Sequence, residues 1–214
     1  MKQVKINLYT LSELKNINEK VYQKVLDNER DDIINIRFDY ASCDVYYILK
    51  DRYNIDIDEK NIYYSISYSQ GDGFCFIDND ILSYTRLKNK SDLNAFEKWI
   101  LNNLNDNDFN MLLEYLNDGY NLSIIRNSHQ YCHCYTCIID YETFYSSDDP
   151  NYIDNVNDLI YILCKKLFNE VYVNICKDIE TYLYSLYDVD DNDVIDTCNA
   201  NEYFYDKNGV LYVD

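Results

Sequence analysis

The first alternating segment of the chain precedes a helix with a clear start signal. Residues 4–9 alternate between apolar and polar positions, which predicts a short strand. Thr10 and Glu13 follow with the spacing of a capping box, in which each side chain accepts a hydrogen bond from the other residue's backbone. Apolar residues then recur every three or four positions from Leu11 to Val25, which predicts an amphipathic helix.

A second helix is predicted soon after the first. We expect the first helix to end near the acidic cluster at residues 29–32. The pattern resumes over residues 40–52, where Val45, Ile48 and Leu49 are expected to point inward.

The middle of the chain alternates between strand and helix patterns. Residues 61–69 alternate strongly and are rich in β-branched and aromatic side chains, and Cys75–Ile77 continue after a glycine-containing turn, so a hairpin is predicted. Residues 120–126 and 131–141 predict a second strand pair. Two short helices are predicted between these hairpins, over residues 92–104 and 108–116.

The last third has the longest helical pattern. Residues 151–208 contain neither proline nor glycine, and an apolar stripe runs through them from Val156 to Leu183. This stripe, which includes Leu163, Leu167, Val171 and Ile179, predicts one long helix or two stacked helices.

A short helix and a hairpin are expected near the C-terminus. The helix is predicted over residues 193–201. Asn208-Gly209 then separates Tyr203–Tyr205 from Val210–Tyr212, and Asn-Gly between two apolar runs is a strong hairpin signal.

These elements predict an α+β fold. Strands and helices do not alternate as regular βαβ units, which favours an antiparallel sheet of hairpins packed against several helices, with a long C-terminal helix. Pro150 follows a polar run and marks a possible boundary. We expect an α+β domain over residues 1–149 and a C-terminal helical extension with a hairpin over residues 150–214, packed on the same core.

Composition excludes several classes of protein. The 214 residues carry a formal net charge of −19, which disfavours direct binding to nucleic acid or to an anionic membrane surface. Hydrophobic residues make up 47%, enough to bury a core, so a disordered chain is not expected. The preference for Tyr, Asn, Ile, Lys and Asp over Ala and Arg indicates an AT-rich genome, such as that of a low-GC bacterium, its phage or a large virus.

The eight cysteines are expected to be free thiols. The first ten residues are too short and too polar for a secretory signal, and no run of 18 apolar residues is present. We therefore expect a cytoplasmic protein without disulfides.

The first candidate for chemistry is the segment Ser69-Gln70-Gly71-Asp72-Gly73. It holds two of the four glycines of the chain, which indicates a turn with a special backbone demand. We expect at least one of these glycines to have positive φ or to lie where a Cβ would clash. A tight hairpin turn explains the pair. The alternative is a turn that presents the Asp72 carboxylate and bare backbone amides to a ligand.

The second candidate contains both histidines of the chain. Residues 129–137 hold them together with three cysteines, and His129, His133 and Cys137 would share one face of a strand. On an extended strand His129 and His133 would lie roughly 13 Å apart, too far for one zinc ion. Buried thiols with one hydrogen-bonded histidine are therefore favoured over a metal site, and no cofactor is predicted. If the two strands are neighbours, Asp72 and His133 could form an acid–base pair.

The third candidate is the acidic surface. Asp188, Asp190, Asp191 and Asp193 crowd one segment, and further carboxylates occur between residues 31 and 58. Two interpretations are open: an even distribution of these carboxylates in solvent, or a cluster on one face that, with exposed tyrosines, imitates the phosphates of a nucleic acid. In the second case they would occupy a basic groove on another protein.

Four segments resemble a widespread family of phage and prophage proteins. The motifs in this chain are LYTLSEL at residues 8–14, SQGDGFCF at 69–76, YCH at 131–133 and ANEYFYDKNG at 200–209. The resemblance runs through nearly the whole chain, although Phe74 stands where the family has a small residue and the segment 92–117 is longer.

This resemblance implies a phage-derived, cytoplasmic accessory protein of α+β fold and implies no reaction. With the acidic composition, it leads to the expectation that the chain binds and inhibits a host protein with a basic nucleic-acid-binding groove, for example as an anti-CRISPR protein. The alternatives are a small enzyme or ligand-binding protein centred on Asp72 and His133, and an antitoxin-like neutraliser.

Overall fold

The fold class is confirmed as α+β. The computed structural model describes residues 7–67 and 69–212. Within them, the strands form three separate two-stranded antiparallel hairpins, and helices make up most of the remaining structure. None of the helices described is both long enough and apolar enough to cross a membrane.

Contacts between residues divide the chain into two compact units. One contains Ser42–Leu183, and the other contains the residues up to Ala41 together with those from Tyr184 onward. The division predicted at Pro150 stays a prediction, because a grouping by contact density does not define domains that fold independently.

The N-terminal helices differ from the prediction. The capping box of Thr10 and Glu13 is confirmed, and α1 covers Leu11–Ile17. It ends at Asn18, and α2 then runs without interruption over Glu19–Tyr53. The break predicted at residues 29–32 was therefore wrong, whereas residues 40–52 are helical as predicted but belong to α2, with Val45 and Leu49 buried. Charged residues facing solvent do not stop a helix, and α2 contains neither proline nor glycine.

Two hairpins lie in the unit of Ser42–Leu183, as predicted. In the first, β1 (Ile62–Ser65) pairs with β2 (Gly73–Phe76), with Ser65 opposite Gly73. In the second, β3 (Leu122–Arg126) pairs with β4 (Cys137–Tyr141). The predicted strand over 131–141 was too long, because a single 3₁₀ turn occupies Cys134–Thr136.

Three helices connect these hairpins. The two predicted helices are α4 (Ala95–Asn103) and α5 (Asp106–Asn117), and a short α3 (Tyr84–Asn89) precedes them. Sequence analysis missed α3, which has only six residues.

A buried carboxylate joins the starts of α3 and α4. Glu97 is fully buried and accepts hydrogen bonds from the backbone N–H groups of Ser83 and Asn94, the N-cap residues of the two helices. The Nε of Arg86 lies 2.8 Å from Oε2 of Glu97 and balances its charge. This network compensates the cost of burying the carboxylate.

The long C-terminal helix is confirmed. It consists of α6 (Pro150–Leu167), a π-helical turn (Phe168–Tyr172) and α7 (Val173–Ser185), which together form one helix of 36 residues. The predicted stripe residues Leu163, Leu167, Val171 and Ile179 are all buried. Burial of this stripe is the main hydrophobic contribution of the helix.

The second unit has its own hydrophobic core. Leu11 and Leu14 of α1 pack with Tyr22, Val25 and Leu26 of α2 and with residues of the C-terminal segment. That segment contains α8 (Asp191–Ala200) and the predicted hairpin, formed by β5 (Phe204–Tyr205) and β6 (Leu211–Tyr212).

The strand predicted over residues 4–9 lies partly outside the described residues. Within them, Tyr9 forms an isolated antiparallel bridge with Tyr205.

Candidate functional site

The Asp72 side chain organises its own hairpin turn. Its Oδ2 accepts the backbone N–H groups of Ser67 (2.6 Å) and Ser69 (2.7 Å). Its Oδ1 accepts the hydroxyl groups of Ser65 (2.9 Å), Ser67 (3.2 Å) and Ser69 (2.9 Å). Desolvation alone would raise the pKa of this carboxyl, but the hydrogen bonds outweigh it and lower the pKa to about 2.

Both glycines of the turn lie against the segment that carries His133. Gly73 has φ +147°, and a Cβ there would lie 2.8 Å from the Cα of His133. A Cβ on Gly71 would lie 2.4 Å from the ring of Tyr131. The backbone of Cys132 also donates a hydrogen bond to the carbonyl of Gly71 (3.2 Å). The predicted backbone demand is therefore confirmed, and its cause is close packing of two segments.

This contact brings the predicted pair Asp72 and His133 into neighbouring segments, but the geometry does not favour joint chemistry. Both oxygens of Asp72 are occupied by serine donors, and an acid with a pKa of about 2 is a weak base at neutral pH. The ring of His133 stacks on Tyr131 with centroids 5.9 Å apart, and its buried Nδ1 has no hydrogen-bond partner in the part of the chain that the structure describes. Gln70 is exposed at the tip of the turn.

The histidines and cysteines do not assemble a metal site within the described residues. No group of three or more His, Cys, Asp or Glu side chains there could hold a metal ion. His129 is exposed in the loop after β3, whereas Cys137 is buried at the start of β4. All eight cysteines are free thiols in the structure.

Two of these thiols interact across the hairpins. The interaction between the Cys75 and Cys137 thiols lowers the pKa of Cys137 and raises the pKa of Cys75. Both sulfur atoms lie in the interior, and the hydroxyl group of Thr136 lies 3.8 Å from Cys75 Sγ.

A mostly apolar cavity with a volume of about 410 Å³ lies between β4 and α6. Sequence analysis did not identify it. We call it the β4–α6 cavity. Most of its wall is apolar or aromatic and comes from Tyr135, Ile138, Ile139, Tyr141, Tyr161 and Phe168. The lining is completed by Cys137, Cys164, Lys165 and Asn169.

Three of the four aspartates singled out in the sequence, Asp190, Asp191 and Asp193, have carboxylates that are engaged within their own unit. Asp190 and Asp193 form the capping box of α8. Asp191 forms an ion pair with Arg30. Arg37 donates to the carbonyl oxygen of Asp188 (3.0 Å) and lies 4.0 Å from Asp193. Local cations therefore offset part of the charge of this cluster.

A different acidic surface lies on the exposed side of α2 in the same unit. We call it the acidic groove, and its volume is about 320 Å³. Its apolar floor is formed by Ile33, Ile36, Tyr203 and Leu211. Its carboxylates come from Glu29, Asp32 and Asp39, and its uncharged polar lining from Asn35, Thr197 and Asn201. No lysine or arginine lines it among the described residues.

The carboxylates of the acidic groove differ in their availability. Glu29 accepts a hydrogen bond from the hydroxyl group of Tyr205 (2.9 Å) and so supports the core. Asp32 and Asp39 are exposed, and neither carboxylate forms a hydrogen bond or an ion pair within residues 7–67 and 69–212. Ile36 on the floor is 56% exposed and Leu211 is 40% exposed.

Most of the chain matches one known protein family. The family described as "Domain of unknown function (DUF8835)" matches residues 33–185. The chain belongs to the DUF8835 family. No curated protein and no solved structure matches it.

The candidate sites differ in whether the DUF8835 match covers them. The match contains the whole unit of Ser42–Leu183, and with it the Asp72 turn and the β4–α6 cavity. Most of the residues that line the acidic groove lie outside the match, namely Glu29, Asp32, Thr197, Asn201, Tyr203 and Leu211. The DUF8835 domain therefore holds the cavity, and the flanking segments supply most of the groove.

Proposed function

We propose that the protein acts by binding a positively charged partner protein, and that the partner docks in the acidic groove. The observation that carries this proposal is the combination of an exposed apolar floor with two carboxylates that have no partner within the described residues. Burial of the floor would supply affinity, and the carboxylates would select lysine or arginine and speed association.

The location differs from the one that the sequence suggested. Asp190, Asp191 and Asp193 cap α8 or pair with Arg30 and Arg37, so a partner would have to displace these contacts, whereas Arg37 binds only the backbone carbonyl of Asp188. A partner that binds Asp32 and Asp39 would not have to displace any such contact. They lie seven positions apart on α2, which is about two turns or roughly 10 Å along the helix axis. We therefore assign the partner-binding role to this face.

The partner class we propose is a host protein with a basic nucleic-acid-binding groove. The net charge of −19 supports this, because opposite fields accelerate encounter. The resemblance to phage proteins supports a phage-derived inhibitor of host defence, such as an anti-CRISPR protein, that acts in the host cytoplasm. An antitoxin-like neutraliser would use the same surface on a different target. The proposal concerns this chain and not the DUF8835 family, since most of the groove lies outside the matched residues.

The binding test compares two double variants of equal charge. Asp32→Asn with Asp39→Asn changes the groove, and Asp148→Asn with Asp154→Asn changes two exposed carboxylates elsewhere. The probe is a fluorescent amphipathic Leu–Lys helical peptide, titrated by anisotropy at 50 mM and 300 mM NaCl. We expect the groove variant to bind about five- to tenfold more weakly at low salt and the control variant to change less than about twofold.

Two results would contradict the proposal. If both variants bound the peptide equally weakly, only net charge would determine binding. If binding did not saturate at 50 mM NaCl, the groove would not be a docking surface. The partner class is tested separately with a purified RNA-guided CRISPR nuclease and labelled target DNA. An excess of the protein should reduce DNA binding, and the groove variant should do so less effectively than the control variant.

A further inference from the structure

We infer that the β4–α6 cavity binds a small amphipathic anion, whose apolar body lies in the cavity and whose charged end pairs with Lys165. This inference is independent of the acidic groove, because it concerns a different unit and a ligand of opposite charge.

The size and lining of the cavity define the apolar part of the ligand. A volume of about 410 Å³ lies in the range of small-molecule sites. Since a water-sized group occupies roughly 30 Å³, the cavity holds roughly a dozen non-hydrogen atoms. At its rim Tyr135 is 64% exposed and Ile138 is 41% exposed. A ligand would cover the apolar surface that these side chains leave in contact with solvent.

Lys165 defines the charged end. It is the one cation among the residues that line the cavity. Its Nζ lies 4.0 Å from the centroid of the Tyr161 ring and donates to the hydroxyl group of that tyrosine. In the part of the chain that the structure describes, no carboxylate pairs with it, although the protein has 38 acidic and 19 basic residues. An unpaired ammonium at an apolar rim is complementary to an anionic head group.

The helix that forms one wall has an irregularity at this place. The π-helical turn begins at Phe168, which lines the cavity, directly after the regular part of α6 ends at Leu167. π-helical turns are rare and occur frequently at functional sites. The ring centroid of Phe168 lies 6.4 Å from that of Tyr135, so the turn places an aromatic side chain next to Tyr135 in the lining of the cavity.

The decisive test uses decanoate, an anion with an apolar chain and 12 non-hydrogen atoms, in calorimetric titrations below its micelle concentration. Decylammonium carries the same chain with the opposite charge, and hexanoate carries the same charge with a shorter chain. We expect one-to-one binding of decanoate with a dissociation constant on the order of tens of micromolar. Hexanoate should bind at least about tenfold more weakly, because each methylene buried contributes.

Two pairs of variants localise the site. Lys165→Met should weaken decanoate binding about tenfold, whereas Lys166→Met, one residue further on the same helix and outside the lining, should leave it unchanged. Ile138→Trp should fill the cavity and abolish binding. Ile125→Trp alters the residue that pairs with Ile138 across the hairpin but does not line the cavity, and it should bind normally.

The inference fails if decylammonium binds as tightly as decanoate, or if binding survives both Lys165→Met and Ile138→Trp. It also fails if the protein dimerises at micromolar concentration and Ile138→Trp dissociates the dimer, since a second copy would then cover the cavity. The Leu–Lys peptide binding described above is expected to persist in Lys165→Met, so failure of one proposal is distinguishable from failure of the other.

Discussion

At the residue scale, the Asp72 carboxylate that was a candidate for acid–base chemistry is engaged by its own turn. Asp72 holds three serines at alternate positions, Ser65, Ser67 and Ser69, around one turn. That spacing was visible in the sequence and could have signalled a side-chain clamp. The glycines were recognised as special, but the segment that packs against them could not be identified, because the contact joins residues about 60 positions apart.

Gly73 is expected to be the glycine least tolerant of substitution. Gly73→Ala introduces a Cβ 2.8 Å from backbone at His133 and also strains a residue with φ +147°. We expect the free energy of unfolding in urea to fall by about 2 kcal/mol or more. Gly119→Ala is the matched control, because Gly119 has φ +89° but open space around it, so only backbone strain of about 1 kcal/mol should appear. Equal losses in both variants would contradict the close approach.

Asp72 predicts a specific acid sensitivity. Its pKa is about 2 in the folded protein, against an ordinary value of 3.8. A lowered pKa means that the carboxylate stabilises the fold fully above pH 3.8, and that this contribution disappears as the pH falls through 2. Asp72→Asn should therefore be less stable than the wild type at pH 6, and the difference should shrink steadily between about pH 4 and pH 2. A difference that does not depend on pH, measured by urea unfolding, would contradict the proposed clamp.

At the element scale, features encoded by neighbouring residues were predicted correctly, whereas features that depend on residues distant in the sequence were not. The capping box at Thr10, the Asn208-Gly209 hairpin and the stripe of the long C-terminal helix are all encoded by neighbouring residues, and all are confirmed. A helix break was wrongly predicted at residues 29–32 because an acidic cluster is not a stop signal, and the break at Asn18 was missed. The β4–α6 cavity was missed because its walls come from two elements with a loop between them, and no local motif reports such a space.

The acidic segment after the long helix gives an element-scale prediction. Asp190 accepts the backbone N–H of Asp193 (2.8 Å) as the N-cap of α8. Asp190→Ala should lower the free energy of unfolding by about 1 kcal/mol. Asp196→Ala removes the same charge from an exposed position within α8 and should not lower the free energy of unfolding, since alanine favours helix more than aspartate does. If both variants lower the free energy of unfolding in urea equally, Asp190 contributes through its charge and not as an N-cap.

At the scale of the whole molecule, the excess of acid has two opposing consequences. It attracts basic partners, and it destabilises the compact state through repulsion among carboxylates. Local ion pairs such as Arg30–Asp191 and Arg52–Asp178 offset part of the repulsion, but 19 cations cannot balance 38 acids. Composition alone revealed this imbalance, whereas the distinction between engaged aspartates and the available Asp32 and Asp39 required the structure.

The balance between repulsion and ion pairing predicts the response of stability to salt. The Debye length falls from about 30 Å at 10 mM salt to about 8 Å at 150 mM. Repulsion among distant carboxylates is therefore screened first, whereas contacts such as Arg30–Asp191 are short enough to be weakened less. We expect the urea midpoint to rise between 10 mM and 150 mM NaCl and then to level off. The Asp148→Asn, Asp154→Asn variant carries two fewer charges and should show a smaller rise. A midpoint that falls with salt would mean that the ion pairs stabilise the fold by more than the repulsion destabilises it. The acidic surface would then not reduce stability, and its presence would give no support to a role in binding.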